Sequence, residues 1–501
     1  MQPLVDWKIR SGTATEVIDV NQIGNNAGAI KTYIQNYYIN HPELKYILLA
    51  GDAQDVATPI FWGGAADPSY GYLNGNDSYA EVFVGRLSAN TLAELQVQVA
   101  KILAYEINPD TTKTYYGHAT VIGSNAGPGD DGEMDWEHAR NLRTKLLAYT
   151  YANVQELYDG THPGGNDASG DPLAFDFYTQ LQNGISLATY TGHGTSSTFT
   201  TTGFNSNDIS SLTNFNQWPY IWSVACANGD FNNGTCMAES FLRAEYNGQP
   251  TGAVATLMSS INQSWVPPMD AQDEFIDILT ETYVNNIKRS FGGISVNGCM
   301  HMNDNYGPAG DEMTDTWCLF GDPSMQVRTA PPFVLAATHT TIISFNDNTL
   351  ALSCNKQDGA TVCLSNNGQL LDKQPLQNGQ ALLNFNSIGN QDTLQLTVYG
   401  YNCKPYLADI NVLPVAQAEV QESGISIYPN PATSNLYLKT NTPILSIEIL
   451  SMEGRMLKQW KENKNGAIDI TIPIYDLSNG NYIAKIVIND KLFLKKFAVN
   501  R

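Results

Sequence analysis

The sequence has no apolar run of about 18 residues, and this absence excludes a transmembrane helix. Basic residues are also scarce, because 27 Lys and Arg stand against 49 Asp and Glu and give a net charge of −22. A chain this acidic repels nucleic acid and anionic membranes, so we expect neither as a partner. The opening residues lack the basic and apolar segments of a signal peptide, and we expect the signal peptide and any propeptide to lie outside this sequence.

Cysteine is sparse as well, with seven residues scattered along 501. An odd number without dense spacing excludes a disulfide scaffold, and no CxxC pair or Cys/His cluster indicates structural zinc. At least one thiol must therefore stay unpaired. The role of Cys226 in "IWSVACANGD" is the most important to establish, since this residue could be a buried apolar residue, half of a disulfide, a metal ligand or a nucleophile.

What the chain does contain is an alternation of apolar runs and amphipathic stretches over residues 1–330. Runs such as "KYILLAGD" are typical of buried parallel strands, and "TLAELQVQVAKILAYE" has helical spacing behind a Thr cap. This pattern predicts an α/β domain with a parallel sheet flanked by helices. We place its two subdomains at about residues 1–110 and 111–330.

The pattern changes near residue 331, where short alternating runs separated by Asn and Gly turns begin. They predict an all-β sandwich over residues 331–415, and Cys354 and Cys363 could pair across its strands. A polar linker at 416–424 precedes a second small β domain at 425–501.

Two strand ends in the α/β domain carry chemistry. His193 follows an apolar strand in "ATYTGHGT", and Cys226 follows the next one in "YIWSVACANGD". Because parallel strands present their carboxyl ends at one edge, the imidazole and the thiol can meet there. A thiolate can attack a carbonyl carbon, and an imidazole can lower the pKa of the thiol or donate a proton to the leaving amine. The backbone amides of Gly194 and Cys226 can stabilise the resulting oxyanion. On placement alone, a purely structural Cys and His remain an equal alternative.

Longer motifs add a family resemblance. The stretches "YTGHGTSSTFTTTGFNSNDISSLTN", "WPYIWSVACANGDFNNGTCMAESFLRA" and "QPTGAVATLMSSINQSWVPPMDAQDEF" resemble the catalytic core of the gingipains, the C25 cysteine peptidases of the caspase-like clan. The lysine-specific gingipain looks most similar. The resemblance implies a caspase-like fold and a secreted cysteine endopeptidase, with Cys226 as nucleophile and His193 as its acid/base partner.

In the family a carboxylate orients the histidine, and the matching segment here is "DGEMDWEHAR". The resemblance points to Asp135, with Glu137 and Glu133 as alternatives because the arginine-specific relatives use a glutamate nearby. Cys236 matches a second family cysteine and is expected to be structural.

Specificity is where this chain departs from the lysine-specific pattern. Asn262 in "SINQSW" stands where that relative has an aspartate for the basic substrate side chain. A neutral amide does not offset the desolvation of an ammonium group, so the preference for the residue before the cleaved bond (P1) stays open. Asp159 could supply the missing charge, and Trp265 could form a wall of the pocket.

The resemblance also covers the other parts of the chain. The first β domain is similar to the immunoglobulin-like domain of gingipains, and "ISIYPNPATSNLYL" resembles a type IX secretion sorting domain. We therefore expect a secreted or outer-membrane surface protein, with protein or peptide substrates and the type IX machinery as partners. The chemistry needs no cofactor. The family implies structural Ca²⁺, for which Asp77 and Glu81 are the candidates, although polar turns are the simpler interpretation of that segment.

Two other functions fit the same residues. The chain could be a non-catalytic surface adhesin on a peptidase scaffold, or a Cys-dependent transpeptidase. Labelling of Cys226 by a reactive substrate analogue separates the adhesin from the enzymes.

Overall fold

The computed structural model describes residues 1–413, 425–440, 444, 446–452, 454–461, 469–488 and 491–501. The predicted linker at 416–424 lies outside these residues. The chain divides into two units: Met1–Thr338 with Ser353–Ala381 and Thr397–Leu407, and His339–Leu352 with Leu382–Leu396 and Ala408–Arg501. None of the described helices is both long enough and apolar enough to cross a membrane.

The first unit is built on one eight-stranded sheet. Its strands in chain order are β1 (Tyr46–Ala50), β2 (Phe83–Leu87), β3 (His118–Gly123), β4 (Asn153–Tyr158), β5 (Leu187–Thr191), β6 (Tyr220–Val224), β7 (Ala255–Ser259) and β8 (Trp317–Phe320). The spatial order is β1-β2-β8-β7-β6-β5-β3-β4. All neighbours are parallel except β7 and β8, so five parallel strands meet a second parallel set of three running the other way.

The central strands explain the apolar runs in the sequence. Every residue of β5, β6 and β7 is buried, as expected for strands that are covered on both faces. Successive residues alternate between two cores: Trp222 and Leu257 belong to one, whereas Ile221 and Met258 belong to the other. This alternation confirms the predicted α/β architecture of a sheet between two helical layers.

A local side-chain cap explains where one of the predicted helices begins. Thr91 caps the helix that follows it, because its hydroxyl oxygen accepts the N–H of Glu94 at 3.2 Å. The helices are α1 (Gln2–Arg10), α2 (Val20–Ile23), α3 (Ala27–Asn40), α4 (Leu92–Ile107), α5 (Asp135–Ala148), α6 (Ala174–Asn183), α7 (Ser206–Ser210), α8 (Met237–Arg243), α9 (Val266–Leu279), α10 (Phe291–Tyr306) and α11 (Pro308–Thr316). Short hairpins lie at Ile60–Phe61 with Gly64–Ala65, and at Glu245–Tyr246 with Gln249–Pro250. The loop after β5 contains the short strands Gly194–Thr195, Thr198–Phe199 and Phe204–Asn205.

From residue 333 onward the described elements are strands, which confirms the predicted all-β regions. Up to residue 413 they are Phe333–Val334, Ala337–His339, Ile342–Ser344, Thr349–Cys354, Ala360–Asn366, Gln369–Pro375, Gln380–Asn384, Asp392–Gly400, Cys403–Lys404 and Tyr406–Leu413. All seven cysteines are free thiols, so the pairing of Cys354 with Cys363 considered above does not occur in this structure.

The C-terminal residues form two described antiparallel sheets around an Ile- and Leu-rich core. One contains Ser426–Tyr428, Asn435–Lys439 and Asp469–Pro473. The other contains Ser446–Ser451, Met456–Lys461, Gly480–Ile488 and Lys491–Val499.

Candidate active site

The register of β5 against β6 places the predicted thiol and imidazole at the same edge. Thr191 and Val224 are partners at the ends of these parallel strands, and the N–H of Gly192 donates to the carbonyl of Val224 at 3.1 Å. His193 and Cys226 each follow two positions after that last pair. They therefore emerge together beyond the carboxyl ends of adjacent strands, where open α/β sheets bind ligands.

Gly194 lets the two loops approach closely. A Cβ atom at this position would lie 2.9 Å from the Cβ of Ala225 and 3.0 Å from the side chain of Asn228. The buried Asn228 links the loops further: its Oδ1 accepts the Ser223 hydroxyl at 2.9 Å, and its Nδ2 donates to the carbonyl of Thr195. Asn228 thus joins the histidine loop to the cysteine loop, a role that its place in the motif does not reveal.

A third segment, residues 261–263, contacts the cysteine loop. The thiol of the half-buried Cys226 lies 4.0 Å from the backbone carbonyl of Gln263, and the side-chain oxygen of Gln263 accepts the N–H of Ala225 at 2.9 Å. Ala227 adopts a φ of 55°, and its N–H donates to Ile261 at 2.8 Å. Gln263, next to the predicted Asn262, was missed because its contact depends on how the loop folds back.

Trp265 connects the histidine to the predicted carboxylate. Its ring centroid lies 5.0 Å from that of the exposed His193, and its indole N–H donates to Asp135 Oδ1 at 3.0 Å. The hydroxyl of Ser124 donates to the other carboxylate oxygen. Within the described part of the chain the His193 ring makes no hydrogen bond, to Asp135 or to any other group.

Asp135 is a buried carboxylate without a directly bound counter-charge. The residue is 0% exposed, and no Lys, Arg or His among the described residues forms an ion pair with it. Burial raises the pKa of its carboxyl group to about 6, and the hydrogen bonds from Ser124 and Trp265 oppose that rise. Such a carboxylate favours a cation that would restore its charged form.

The alternative carboxylates have other partners. Glu137 Oε2 accepts the N–H of Met134 at the start of α5, and Glu133 binds His138 at 2.9 Å. Asp159 is half-buried, and burial raises the pKa of its carboxyl group while a hydrogen bond from Thr201 opposes the rise.

Two further sequence predictions concern Asn262 and Cys236. Asn262 is exposed, and its side chain has no hydrogen bond to any described residue. Cys236 is fully buried, and burial raises the pKa of its thiol well above the usual range.

The proposed calcium ligands do not converge with a third acidic group. Asp77 Oδ1 accepts the N–H of Tyr79 at 3.1 Å, and Glu81 Oε2 accepts backbone N–H groups of Leu73 and Asn74 at 2.6 and 3.1 Å. In the described ranges only one set of three ionisable side chains converges tightly, and it contains neither residue. Calcium at Asp77 and Glu81 therefore stays a prediction that these contacts do not favour.

Three family models match successive parts of the chain. Residues 1–328 match the model of peptidase family C25, 338–413 match the C-terminal Ig-like domain of that family, and 426–500 match a secretion system C-terminal sorting domain. Gingipain R2 of Porphyromonas gingivalis is 35% identical over 100% of this chain and 66% of its own length. Gingipain R1 of the same organism is 39% identical over 82% of this chain and 41% of its own. The chain thus spans no more than about two thirds of these relatives.

A solved structure gives the same relationship. The crystal structure of the Arg-specific cysteine proteinase gingipain R has a TM-score of 0.78 and 38% identity, covering 82% of this chain and 94% of that one. The prediction that the lysine-specific gingipain is most similar was wrong, because Lys-gingipain is 26% identical over only 53% of the chain. With its sheet, its Ig-like region and these matches, the chain belongs to peptidase family C25, the family of the gingipains.

Proposed function

We propose that this protein is a secreted cysteine endopeptidase that cleaves after arginine, with Cys226 as nucleophile and His193 as acid/base. One observation carries the proposal. In a chain of family C25, the strand register brings a half-buried thiol and an exposed imidazole to the same sheet edge, on loops that leave no room for a Cβ atom between Gly194 and Ala225.

The proposed steps use only groups of this chain and require no cofactor. The Cys226 thiolate attacks the scissile carbonyl carbon, and the amides of Cys226 and Gly194 stabilise the oxyanion. His193 protonates the leaving amine, which departs as the C–N bond breaks and a thioester remains. His193 then takes a proton from water, and the resulting hydroxide attacks the thioester. Release of the carboxylic acid product restores the Cys226 thiolate and the protonated His193.

Arginine preference is proposed from the environment of Asp135. Each of its oxygens already accepts one hydrogen bond, from Trp265 or Ser124, and each keeps a second lone pair. A planar guanidinium can bind both oxygens and stack on the neighbouring indole, which an ammonium group does less well. Because Asp135 is fully buried, the side chains that cover it must move before the guanidinium reaches it. The Arg-specific relative supports this assignment, and the exposed position of Asn262 makes it a poor base for the pocket.

This assignment differs from the orienting role expected for Asp135. Its hydrogen bonds go to Ser124 and Trp265, so any influence on His193 must pass through the indole ring. The orienting role stays a prediction, and the two roles have different kinetic consequences.

The sorting domain supports export by type IX secretion machinery as the second part of the proposal. The mature protein would then act on protein or peptide substrates outside the cell or at the outer-membrane surface.

The experiment that tests the function combines covalent labelling with a cleavage profile. A peptidyl-arginyl chloromethyl ketone should alkylate Cys226 stoichiometrically, as located by peptide mass spectrometry. Cleavage sites in a denatured protein mixture should carry arginine before the broken bond. A correctly folded protein that is neither labelled nor active would favour the adhesin, and dominant Lys cleavage would contradict the role given to Asp135.

Gly194→Ala should lower kcat/KM by about 10- to 100-fold, because a displacement of about 1 Å between reacting groups can cost that much. The added methyl group meets Ala225 Cβ at 2.9 Å and pushes the two loops apart. Gly389→Ala is the control, since a Cβ there has no neighbour within 4 Å. Hydrolysis of an arginyl peptide amide measures both. An unchanged rate in Gly194→Ala would show that the close approach is unimportant.

A further inference from the structure

A fully buried histidine lies one turn along α5 from Asp135. His138 is 0% exposed, and both of its ring nitrogens have partners. Nδ1 lies 2.9 Å from Glu133 Oε1 and 3.3 Å from Asp273 Oδ2, while Nε2 lies 2.9 Å from Gln272 Oε1. The proposed chemistry does not use this group, although it sits beside the candidate site.

The hydrogen bonds of Gln272 determine the protonation of the ring. Its Nε2 donates to the carbonyl of Tyr190 at 3.2 Å, so its Oε1 is the atom that faces His138 and also accepts the hydroxyl of Thr191 at 2.7 Å. His138 Nε2 must therefore donate. Nδ1 faces two carboxylates and must donate as well, so the ring is an imidazolium.

The surrounding charges maintain that state. Burial by itself lowers the pKa of His138, but hydrogen bonds and charges from Asp273 and Glu133 outweigh it and raise the pKa to about 9. Lys145 on α5 binds Asp273 at 2.9 Å, and Asn141 donates to Glu133, so both carboxylates are themselves held in place.

This imidazolium joins three of the elements that surround the candidate site. It lies on α5, which begins at Asp135, and it binds α9, which follows Trp265 directly. Through Gln272 it reaches the end of β5, where the hydroxyl of Tyr190 donates to the backbone carbonyl of His193 at 2.6 Å. The path from His138 to the His193 backbone therefore runs through two hydrogen bonds of the buried Gln272, the side chain of the buried Tyr190, and the hydrogen bond from its hydroxyl.

We propose that His138 is a positioning residue, whose imidazolium holds Gln272 and thereby fixes the end of β5 that presents His193 to Cys226. This inference rests on the proposed function. Glu133 and Asp273 keep the ring charged, and the Nε2–H bond to Gln272 transmits its effect.

The test compares two neutral replacements that each keep one of the two contacts. In His138→Gln the amide nitrogen can take the place of Nε2 and still donate to Gln272. In His138→Asn it can replace only Nδ1 and donate to Glu133. We expect kcat on an arginyl substrate to fall at least tenfold in His138→Asn and less than threefold in His138→Gln, with KM unchanged in both. Gln272→Glu keeps the acceptor but loses the donor to Tyr190, and it should resemble His138→Asn.

Two further readouts separate positioning from a general loss of stability. In the wild type, kcat should decline as pH rises through about 9, where His138 loses its proton, and His138→Gln should lack that decline. The rate at which iodoacetamide alkylates Cys226 should follow the same order among the variants, because a nearby imidazole promotes the thiolate.

The outcomes are distinct from those of the proposed function. Failure of the wild type to cleave any substrate refutes the function, and the alkylation rates then still decide the positioning role. Equal losses in His138→Gln and His138→Asn, or no loss in either, would overturn it. A rise in Tm with added Zn²⁺ that disappears in His138→Gln would also overturn it, because the three side chains would then be a metal site rather than an imidazolium cluster.

Discussion

Cys226→Ala is expected to lower kcat by on the order of 10⁶-fold, to the background rate, as removal of a catalytic nucleophile does elsewhere. The thiol is half-buried at the carboxyl end of β6, and no other group in the described site can form the covalent intermediate. KM and Tm should change little, because the side chain makes only a weak contact with Gln263. Hydrolysis of an arginyl peptide amide and labelling by the chloromethyl ketone measure the effect.

The matched control for this prediction is Cys354→Ala. Cys354 is also a free, half-buried thiol, but it lies in the first β domain. Its removal should leave hydrolysis and labelling intact. Residual hydrolysis above about 1% of the wild-type rate in Cys226→Ala would remove Cys226 from the mechanism, since the expected loss is roughly four orders of magnitude larger.

The strand-end placement of His193 and Cys226 could be read from the sequence because the relevant signals are local. Apolar runs of five buried residues predict β5 and β6, and a short crossover makes them parallel neighbours. Once two consecutive strands are parallel, their carboxyl ends must meet at one edge. The family resemblance of the motifs then assigns expected roles to these two residues.

The supporting residues could not be predicted in the same way. Three side-chain amides support the site without any distinctive sequence signal: Asn228, Gln263 and Gln272. Their hydrogen-bond partners lie 33, 38 and 81 residues away along the chain, respectively. No periodicity or spacing encodes those contacts, because they depend on the register of loops above the sheet. His138 likewise lies within a sequence motif, but only the fold shows that both of its ring nitrogens have hydrogen-bond partners.

The mistaken choice of the lysine-specific relative has a physical explanation. The motifs around His193 and Cys226 concern the proposed chemistry rather than specificity, and the specificity prediction depended on the side chain at position 262. That side chain points to solvent in this fold, whereas the buried Asp135 lies under Trp265. The proposed role of Asp135 in specificity rests on its burial, which only the fold reveals.

Asp135→Asn should lower kcat/KM for an arginyl substrate by about 100-fold, equivalent to roughly 3 kcal/mol, because a buried charged hydrogen bond to the guanidinium is lost. A matched substrate with glutamine before the scissile bond should lose less than about threefold, since it never made that interaction. This selective loss distinguishes substrate binding from the orienting role. If Asp135 instead acts by holding His193, both substrates should lose kcat equally.

The same carboxyl group predicts a pH dependence for the free enzyme. Its pKa is raised to about 6, so it becomes protonated as pH falls through that value and ceases to attract a cation. For the wild type, kcat/KM on the arginyl substrate should therefore decline below about pH 6, while the glutamine substrate and Asp135→Asn lack this decline. Asp159→Asn is the matched control, because Asp159 is half-buried nearby but bonds to Thr201 rather than Trp265. A larger loss of arginine selectivity in Asp159→Asn than in Asp135→Asn would move the specificity site to Asp159, and the burial of Asp135 would then serve only to anchor Trp265.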